Sequence, residues 1–239
     1  MKQSSNTTIE QLDNKNAGRF IVIDGSDGAG KKTQSDLLIA RLKKDGHEIA
    51  LYDFPNYDSF FGKIVGRYLN GEFGEADDVN PYLASLLFAG DRWQASESIR
   101  KDLAVGKTVI SNRYIQSNMG FMSAKFKTTA EQKKYLDWLT ELEFEIYGIP
   151  KPDLVIYLYV PYEISQQLVD KKSKRSYTDL KRDIHEKDAD FLSRVEESYL
   201  MLADKYPEWR KIDCVKGGQM MSIGEIAGKI FEIVEEELR

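Results

Sequence analysis

The glycine-rich segment GSDGAGKKTQ at residues 25–34 has the spacing G-x-x-x-x-G-K, which is the core of the phosphate-binding P-loop. Glycines in this loop allow close backbone approach, so that backbone N–H groups can point at phosphate oxygens. Lys31 would reach the β- and γ-phosphates of a nucleotide, whereas Lys32 stands where the strict motif has a magnesium-binding hydroxyl. The predicted ATP-binding residues of the loop are Gly25, Ser26, Asp27, Gly28, Ala29, Gly30, Lys31, Lys32 and Thr33.

A P-loop needs a buried strand before it and a helix after it, and the sequence predicts both. Residues 19–25 (RFIVIDG) form an apolar run that ends in glycine, and residues 31–44 carry leucines at helical spacing. Apolar runs then alternate with amphipathic stretches, which is typical of a parallel sheet covered by helices. Further strands are predicted at 47–55, 108–114, 152–161 and 209–215. Further helices are predicted at about 81–105, directly after the strand at 108–114, at 130–147, from about 163, at 186–206 and at 222–238.

The composition describes an ordinary folded protein with one α/β domain. The chain has 239 residues, of which 41% are hydrophobic and 31% charged. Its net charge of -5 argues against a general nucleic-acid or anionic-membrane binder. The single Cys214 cannot form an internal disulfide, which fits a reducing cytoplasm. Residues 1–17 are polar without the apolar core of a signal peptide, so we interpret them as a flexible extension preceding a domain at 18–239.

Six segments, taken in order and with their spacing, resemble the thymidylate kinase family from about residue 19 to residue 238. They are GSDGAGKKTQ, FPNYDSFFGKIVGRYLNG (54–71), LLFAGDRW (86–93), NRYIQSN (112–118), PKPDLVIYL (150–158) and DIHEKDADFLSRVEESYLMLA (183–203). The resemblance implies a P-loop kinase fold, with a five-stranded parallel sheet flanked by helices and a mobile lid. It also implies transfer of the γ-phosphoryl group of ATP to dTMP with Mg²⁺, and a homodimer.

The resemblance assigns acceptor roles to residues at matching positions. Phe88 is expected to stack on thymine, and Arg92 is expected to donate to a thymine carbonyl, roles that suit a flat ring and a guanidinium. Arg113 would clamp the acceptor phosphate beyond the carboxyl end of a strand, where ligands of parallel sheets bind. The predicted dTMP-binding residues are Asp27, Phe54, Tyr57, Phe88, Arg92, Arg113, Ser117, Asn118 and Phe121.

The basic segment KKSKRSYTDLKR (171–182) matches the lid of the family, which we place at about 171–185. Since Gly28 occupies a place where some members carry an arginine, a lid arginine is expected to supply the missing charge. Arg175 and Arg182 are the candidates, and Arg182 is preferred. The resemblance further implies that Asp27 and Glu186 hold the metal. The predicted catalytic residues are Lys31, Asp27, Arg113 and Arg182.

Three positions depart from the common pattern of the family. Asn112 stands where an Asp is usual, Lys32 where a hydroxyl is usual, and Asn56 lies in a stretch that often carries an Arg. Two alternatives therefore stay open. One is a kinase for another nucleoside monophosphate or a deoxynucleoside, and the other is a catalytically weakened paralogue that binds nucleotides. A weakened paralogue would bind ATP without turnover, and substrate profiling would identify a different acceptor.

Overall fold

A computed structural model describes residues 18–75, 78–170 and 189–239. Its central sheet has five parallel strands, as predicted, and their order is β2-β3-β1-β4-β5. The strands are β1 (Phe20–Gly25), β2 (Ile49–Asp53), β3 (Thr108–Asn112), β4 (Leu154–Tyr159) and β5 (Trp209–Asp213). Because all five run in one direction, their carboxyl ends meet along one edge, and the P-loop leaves the central strand β1 at that edge.

Eight α-helices lie within the described residues. They are α1 (Lys31–Lys44), α2 (Phe60–Leu69), α3 (Pro81–Ala104), α4 (Ile115–Ser123), α5 (Thr129–Thr140), α6 (Tyr162–Asp170), α7 (Ala189–Lys205) and α8 (Ile223–Glu237). Helix α2 was not predicted from the sequence, and neither was the hairpin of β6 (Val215–Lys216) and β7 (Gln219–Met220). These two strands are too short for a periodic apolar pattern to identify them.

Two apolar cores cover the two faces of the sheet. Alternate residues of β1 point to opposite faces, so Phe20 and Val22 enter one core and Ile21 and Ile23 the other. The first core also receives residues of α2, α3, α4, α5 and α7, and the second receives residues of α1 and α8. β1 is therefore buried on both sides, which explains its continuous apolar sequence.

The helix predicted at 130–147 changes its hydrogen-bonding pattern before it ends. Its first part is α5, which begins with a capping box between Thr128 and Glu131. The second part, Glu141–Ile146, is π-helical and buries both Leu142 and Glu143. The wider π turn breaks the α-helical spacing, and it turns an acidic side chain into the core.

The predicted extension at 1–17 and the predicted lid at about 171–185 fall outside the described residues, so both stay predictions. Within the described ranges, the helices are all too short or too polar to cross a membrane.

Candidate active site

The P-loop holds its lysine in contact with its own backbone. Lys31 is 8% exposed, and its Nζ donates to the carbonyl oxygens of Gly25 at 3.1 Å and Ser26 at 2.9 Å. The same Nζ lies 3.9 Å from Oδ1 of Asp27. The ammonium group is thus held against the loop to which the motif assigns the phosphate contacts.

Gly28 and Gly30 are needed in the loop for different reasons, although both have a positive φ. Gly28 has φ 89°, and a Cβ there would lie 2.8 Å from the carbonyl oxygen of Ser165 in α6. Ser165 also donates its hydroxyl to the carbonyl of Asp27 at 2.8 Å, so α6 packs directly on the loop. Gly30 has φ 82°, and no described atom lies within 4 Å of a Cβ built there. The loop is closed beside Gly28 and open beside Gly30.

The side chain of Lys32 points away from the loop. It is 74% exposed and forms an ion pair with Asp36 at 3.2 Å, one helical turn further along α1. Thr33 is exposed as well. Among the predicted ATP-binding residues, Lys32 is therefore placed to contribute its backbone N–H group rather than its charge.

Arg113 lies between the P-loop and the start of α4. Its Nη2 donates to Oδ1 of Asp27 at 2.5 Å, and its Nη1 donates to the Ser117 hydroxyl at 3.0 Å. Burial lowers the pKa of Arg113, but the carboxylates of Asp27 and Asp24 outweigh it and raise that pKa above its ordinary value. The Phe121 ring lies 5.8 Å from the guanidinium carbon. The structure thus brings four predicted site residues together around one permanent positive charge.

The backbone of Arg113 has a φ of 65°, which is unusual for a residue that is not glycine. Its N–H donates to the carbonyl of Ile23 at 2.9 Å, and its carbonyl accepts from the Ser111 hydroxyl at 2.5 Å. These bonds hold Arg113, which directly follows β3, in the left-handed conformation. Its side chain is thereby turned toward Asp27. Such strained backbone is often found at functional sites.

Arg92 is buried on α3 and is held by a residue that the sequence analysis missed. Its Nε and Nη2 donate to the two carboxylate oxygens of Glu143 at 2.7 and 2.6 Å, and its Nη1 donates to the Tyr114 carbonyl at 3.3 Å. Burial lowers the pKa of Arg92, but Glu143 outweighs it and raises that pKa. A guanidinium has five N–H donors, so two N–H groups of Arg92 stay unused by the described residues.

Phe54 and Tyr57 line a cavity of about 930 Å³ between the loop after β2, α2 and α3. Asp91 shapes this cavity, because its carboxylate accepts from the backbone N–H of Asn56 at 2.8 Å and from the Ser59 hydroxyl at 2.6 Å. Burial raises the pKa of Asp91, and these two hydrogen bonds partly offset the rise. Asp91 was not predicted; a lone Asp in the middle of a helical segment was its only signal.

Two other predicted base contacts lie on α3 and α4. Phe88 is half-buried and packs edge-to-face on Tyr68 with ring centroids 6.0 Å apart. Asn118 is 2% exposed, and its Nδ2 has no hydrogen-bond partner among the described residues. A buried amide donor without a partner is costly, so a ligand carbonyl would stabilise it.

Oxygen atoms suited to magnesium lie at the carboxyl ends of β1 and β3. Ser26 Oγ and Asn112 Oδ1 are buried without a partner among the described residues, and the Asp27 carboxylate lies in the same loop as Ser26. The described residues contain no cluster of three or more His, Cys, Asp or Glu side chains able to hold a metal. This donor set fits Mg²⁺, which is commonly bound through one or two carboxylates, water and substrate phosphates.

Asp24 and Tyr199 were also missed, although both contact residues of the site. The buried carboxylate of Asp24 accepts from the Ser117 hydroxyl at 2.9 Å and from the Tyr199 hydroxyl at 3.1 Å. In the sequence, Asp24 is one more residue of an apolar strand, and Tyr199 is one more aromatic on a helix. Arg175, Arg182 and Glu186 lie outside the described residues, so their roles stay predictions.

The chain is similar in sequence to a known family of proteins. The sequence profile of the family described as thymidylate kinase matches residues 23–216. A probable thymidylate kinase from Thermococcus onnurineus is 34% identical over 225 residues, which cover 92% of this chain and 98% of that protein. The human thymidylate kinase is 36% identical over 141 residues, which cover 59% of this chain and 60% of that protein.

A solved structure of thymidylate kinase from Candida albicans has the same fold. Its TM-score is 0.71 at 26% sequence identity, and the match covers 92% of each chain. That structure is described as revealing the origin of broad substrate specificity. Because the family profile spans most of the chain and a relative above 30% identity is matched along nearly its whole length, this chain belongs to the thymidylate kinase family.

Proposed function

We propose that this chain is a dTMP kinase, which transfers the γ-phosphoryl group of ATP to dTMP and gives dTDP and ADP. The observation that carries the proposal is the contact of Asp27 with both Arg113, at 2.5 Å, and Lys31, at 3.9 Å. Lys31 belongs to the loop that would bind the donor nucleotide, and Arg113 is the predicted clamp for the acceptor phosphate. The donor and acceptor phosphates would therefore both bind beside the Asp27 carboxylate.

Phosphoryl transfer requires the acceptor oxygen to lie in line with the γ-phosphorus and the leaving oxygen. An oxygen of the dTMP phosphate forms the new bond to phosphorus. The bond from phosphorus to the β,γ-bridging oxygen breaks, and ADP leaves with that electron pair. The dTMP phosphate is already ionised, so the reaction needs no strong general base. Lys31 and Arg113 contribute positive charge near the transferring group, which stabilises the transition state.

Three features of the described residues support a thymine base. The unpartnered Nδ2 of Asn118 and the two remaining N–H groups of Arg92 are donors, which suit a base with carbonyl oxygens. Cytosine replaces one of those carbonyls by an amino group, which would leave a donor unpaired. Phe88 offers a half-buried aromatic ring for stacking.

Mg²⁺ bound with ATP would supply charge neutralisation at the β- and γ-phosphates. Asp27 would hold it, with the unpartnered oxygens of Ser26 and Asn112 available to its water shell. Glu186 as a second metal residue, and Arg182 or Arg175 as the arginine that covers ATP, remain part of the proposal from the family resemblance.

The proposal is tested by measuring ADP release with each common nucleoside monophosphate and with thymidine as acceptors. We expect dTMP to give the highest kcat/KM, well above dCMP, AMP and GMP. A preference for a purine monophosphate would contradict the acceptor assignment. Binding of ATP without ADP release for any acceptor would instead identify a paralogue that has lost catalysis.

We further propose that the protein is a cytoplasmic homodimer. Exposed apolar side chains on α2 and α3 support association, namely Phe60, Leu83 and Trp93, which are 70%, 62% and 51% exposed. The single cysteine, Cys214, is buried and free, which suits a reducing compartment. Light scattering would give the mass in solution, and cell fractionation would give the location.

A further inference from the structure

Asp24 is the last side chain of β1 before the P-loop, and several donors converge on its carboxylate. The side chain is fully buried. Its Oδ1 accepts from the backbone N–H of Gly25 at 2.7 Å and from the Tyr199 hydroxyl at 3.1 Å. The Ser117 hydroxyl lies within 3.0 Å of both carboxylate oxygens. A buried carboxylate is costly without such donors, so each of them affects how the others are placed.

Arg113 is connected to this carboxylate by two routes. Its Nη1 lies 3.6 Å from Oδ1 of Asp24, and it also donates to the Ser117 hydroxyl at 3.0 Å. Because Ser117 donates its one hydroxyl hydrogen to Asp24, its oxygen is free to accept from Arg113. Asp24 therefore attracts the guanidinium that the proposed function assigns to the acceptor phosphate.

The ring of Tyr199 is held by packing that does not involve its hydroxyl. It stacks on Tyr157 with centroids 5.0 Å apart and an interplanar angle of 12°, and it meets Phe121 edge-on at 6.1 Å. Gly120 leaves the space for it, since a Cβ there would lie 2.2 Å from a ring carbon of Tyr199. Loss of the hydroxyl would leave this packing in place, so the ring and the hydrogen bond can be tested separately.

We propose that Tyr199 is a positioning residue for the acceptor phosphate, which acts through Asp24 on Arg113 and Ser117. The inference rests on the proposed role of Arg113. When the Tyr199 hydroxyl donates to Asp24, it satisfies part of the carboxylate's demand for donors. Without it, Asp24 competes more strongly for Arg113 and draws the guanidinium toward itself and away from the ligand. Tyr199 belongs to α7, so this helix takes part in acceptor binding although it lies far along the chain from Arg113.

The test compares the parent enzyme with Tyr199→Phe in three binding measurements, using dTMP, ATP and thymidine as the probes. We expect Tyr199→Phe to weaken dTMP binding about three- to tenfold, the range for one lost hydrogen bond. The KM for dTMP should rise by the same factor, with a smaller change in kcat. Affinity for ATP, and for thymidine as a competitor that lacks the phosphate, should stay at the parental value.

Tyr159→Phe is the matched control. The Tyr159 hydroxyl donates to Glu196 of α7 at 2.7 Å, so this variant also removes a tyrosine hydrogen bond between the sheet and α7 but leaves Asp24 untouched. It should bind dTMP like the parent. The double variant Ser117→Ala, Tyr199→Phe, compared with the two single variants, gives a further check. Both substitutions remove a donor to the same carboxylate, so the loss of dTMP affinity in the double variant should differ from the sum of the two single losses.

The outcomes separate this inference from the proposed function. If the parent binds dTMP no better than thymidine, Arg113 is not a phosphate clamp, and both the proposed function and the role of Tyr199 are wrong. If the parent discriminates and Tyr199→Phe binds dTMP equally well, only the role of Tyr199 is wrong. Equal losses for dTMP, thymidine and ATP, or a loss in Tyr159→Phe as large as in Tyr199→Phe, would show a general structural effect and would also overturn it.

Discussion

Arg92 and Glu143 form a buried two-point ion pair, with 2.6 and 2.7 Å between the guanidinium nitrogens and the carboxylate oxygens. The two side chains are 2% and 0% exposed. One belongs to α3 and the other to the π-helical segment after α5, so the pair joins two separate helices. It fixes the plane of the guanidinium that is predicted to read thymine.

Removing one partner of this pair should strongly destabilise the protein. Glu143→Leu leaves the Arg92 charge buried and unpaired, which we expect to lower the free energy of unfolding by about 3–5 kcal/mol. The double variant Arg92→Met, Glu143→Leu should recover most of that loss, because neither charge is then left alone. Urea unfolding of the parent and these variants measures both effects.

The same double variant tests base recognition. Because this variant lacks Arg92 but keeps the fold, it should discriminate less between dTMP and dCMP. We expect a loss of roughly 1–3 kcal/mol, the cost of leaving a buried hydrogen-bond partner unpaired. The ratio of kcat/KM for the two substrates gives the answer. An unchanged ratio in a stable double variant would show that Arg92 is structural and does not contact the base.

Lys31→Ala should lower kcat by about a hundredfold or more, because a charge aimed at the transition state is lost. Lys32→Ala is the control, since Lys32 is a neighbouring lysine whose side chain is exposed and paired with Asp36. Steady-state rates at saturating ATP and dTMP compare the two. If both variants keep a parental rate, Lys31 has no part in the chemistry.

Replacing Gly28 and Gly30 by alanine should give different results, although both have positive φ values. Gly28→Ala adds a contact of 2.8 Å with the Ser165 carbonyl, so we expect it to destabilise the fold by about 1–3 kcal/mol. Gly30→Ala meets no described atom within 4 Å and should destabilise less. It should mainly raise the KM for ATP, because its methyl group enters the open side of the loop. Thermal melts would compare the stability of the two variants, and ATP titrations would compare their affinity for ATP. A larger loss of stability in Gly30→Ala than in Gly28→Ala would contradict the prediction.

Asn112→Asp should destabilise the protein when no magnesium is present. Asn112 lies beside Asp53 in the register of β2 and β3, and its Nδ2 donates to that carboxylate at 2.7 Å. An Asp there would lose this hydrogen bond and would repel the Asp53 carboxylate. The two effects together should cost about 1–2 kcal/mol of stability. Asn112→Ala removes the bond without adding charge. We expect Mg²⁺ to raise the Tm of Asn112→Asp more than that of Asn112→Ala, and equal shifts would argue against a metal contact at this position.

The thiol of Cys214 should react slowly in the native protein. Burial raises its pKa to about 12, so about one molecule in ten thousand carries the thiolate at pH 8. Because the folded pKa lies above the unfolded one, the thiol contributes stability that is present below about pH 8.5 and is lost as the pH rises through about 12. A thiol reagent should therefore label the unfolded chain much faster than the folded chain at pH 8. Equal labelling rates would contradict the burial of Cys214.

The strands of the parallel sheet and the P-loop could be predicted from sequence because their signals are local. β1 and α1 were identified by apolar periodicity and by the glycines between them, and the structure confirms α1 at Lys31–Lys44. The family resemblance supplied the role of Arg113 toward the acceptor phosphate, which stays a prediction. Its contacts with Asp27 and Ser117 come from the structure. Helix α2 was not predicted; it lies inside the segment FPNYDSFFGKIVGRYLNG (54–71), which carries part of the family resemblance.

What the tertiary structure decided is which polar side chains act together. The local sequence does not identify the roles of Asp24, Asp91, Glu143 and Tyr199, because the residue type does not show whether a polar side chain in a strand or helix is solvated or buried. Each acquires its role from a partner distant in sequence, as Asp24 does from Tyr199 and Glu143 does from Arg92. The chain by itself determines the phosphate loop and the order of elements. Long-range packing determines which charges are neutralised, and so which donors remain available to a ligand.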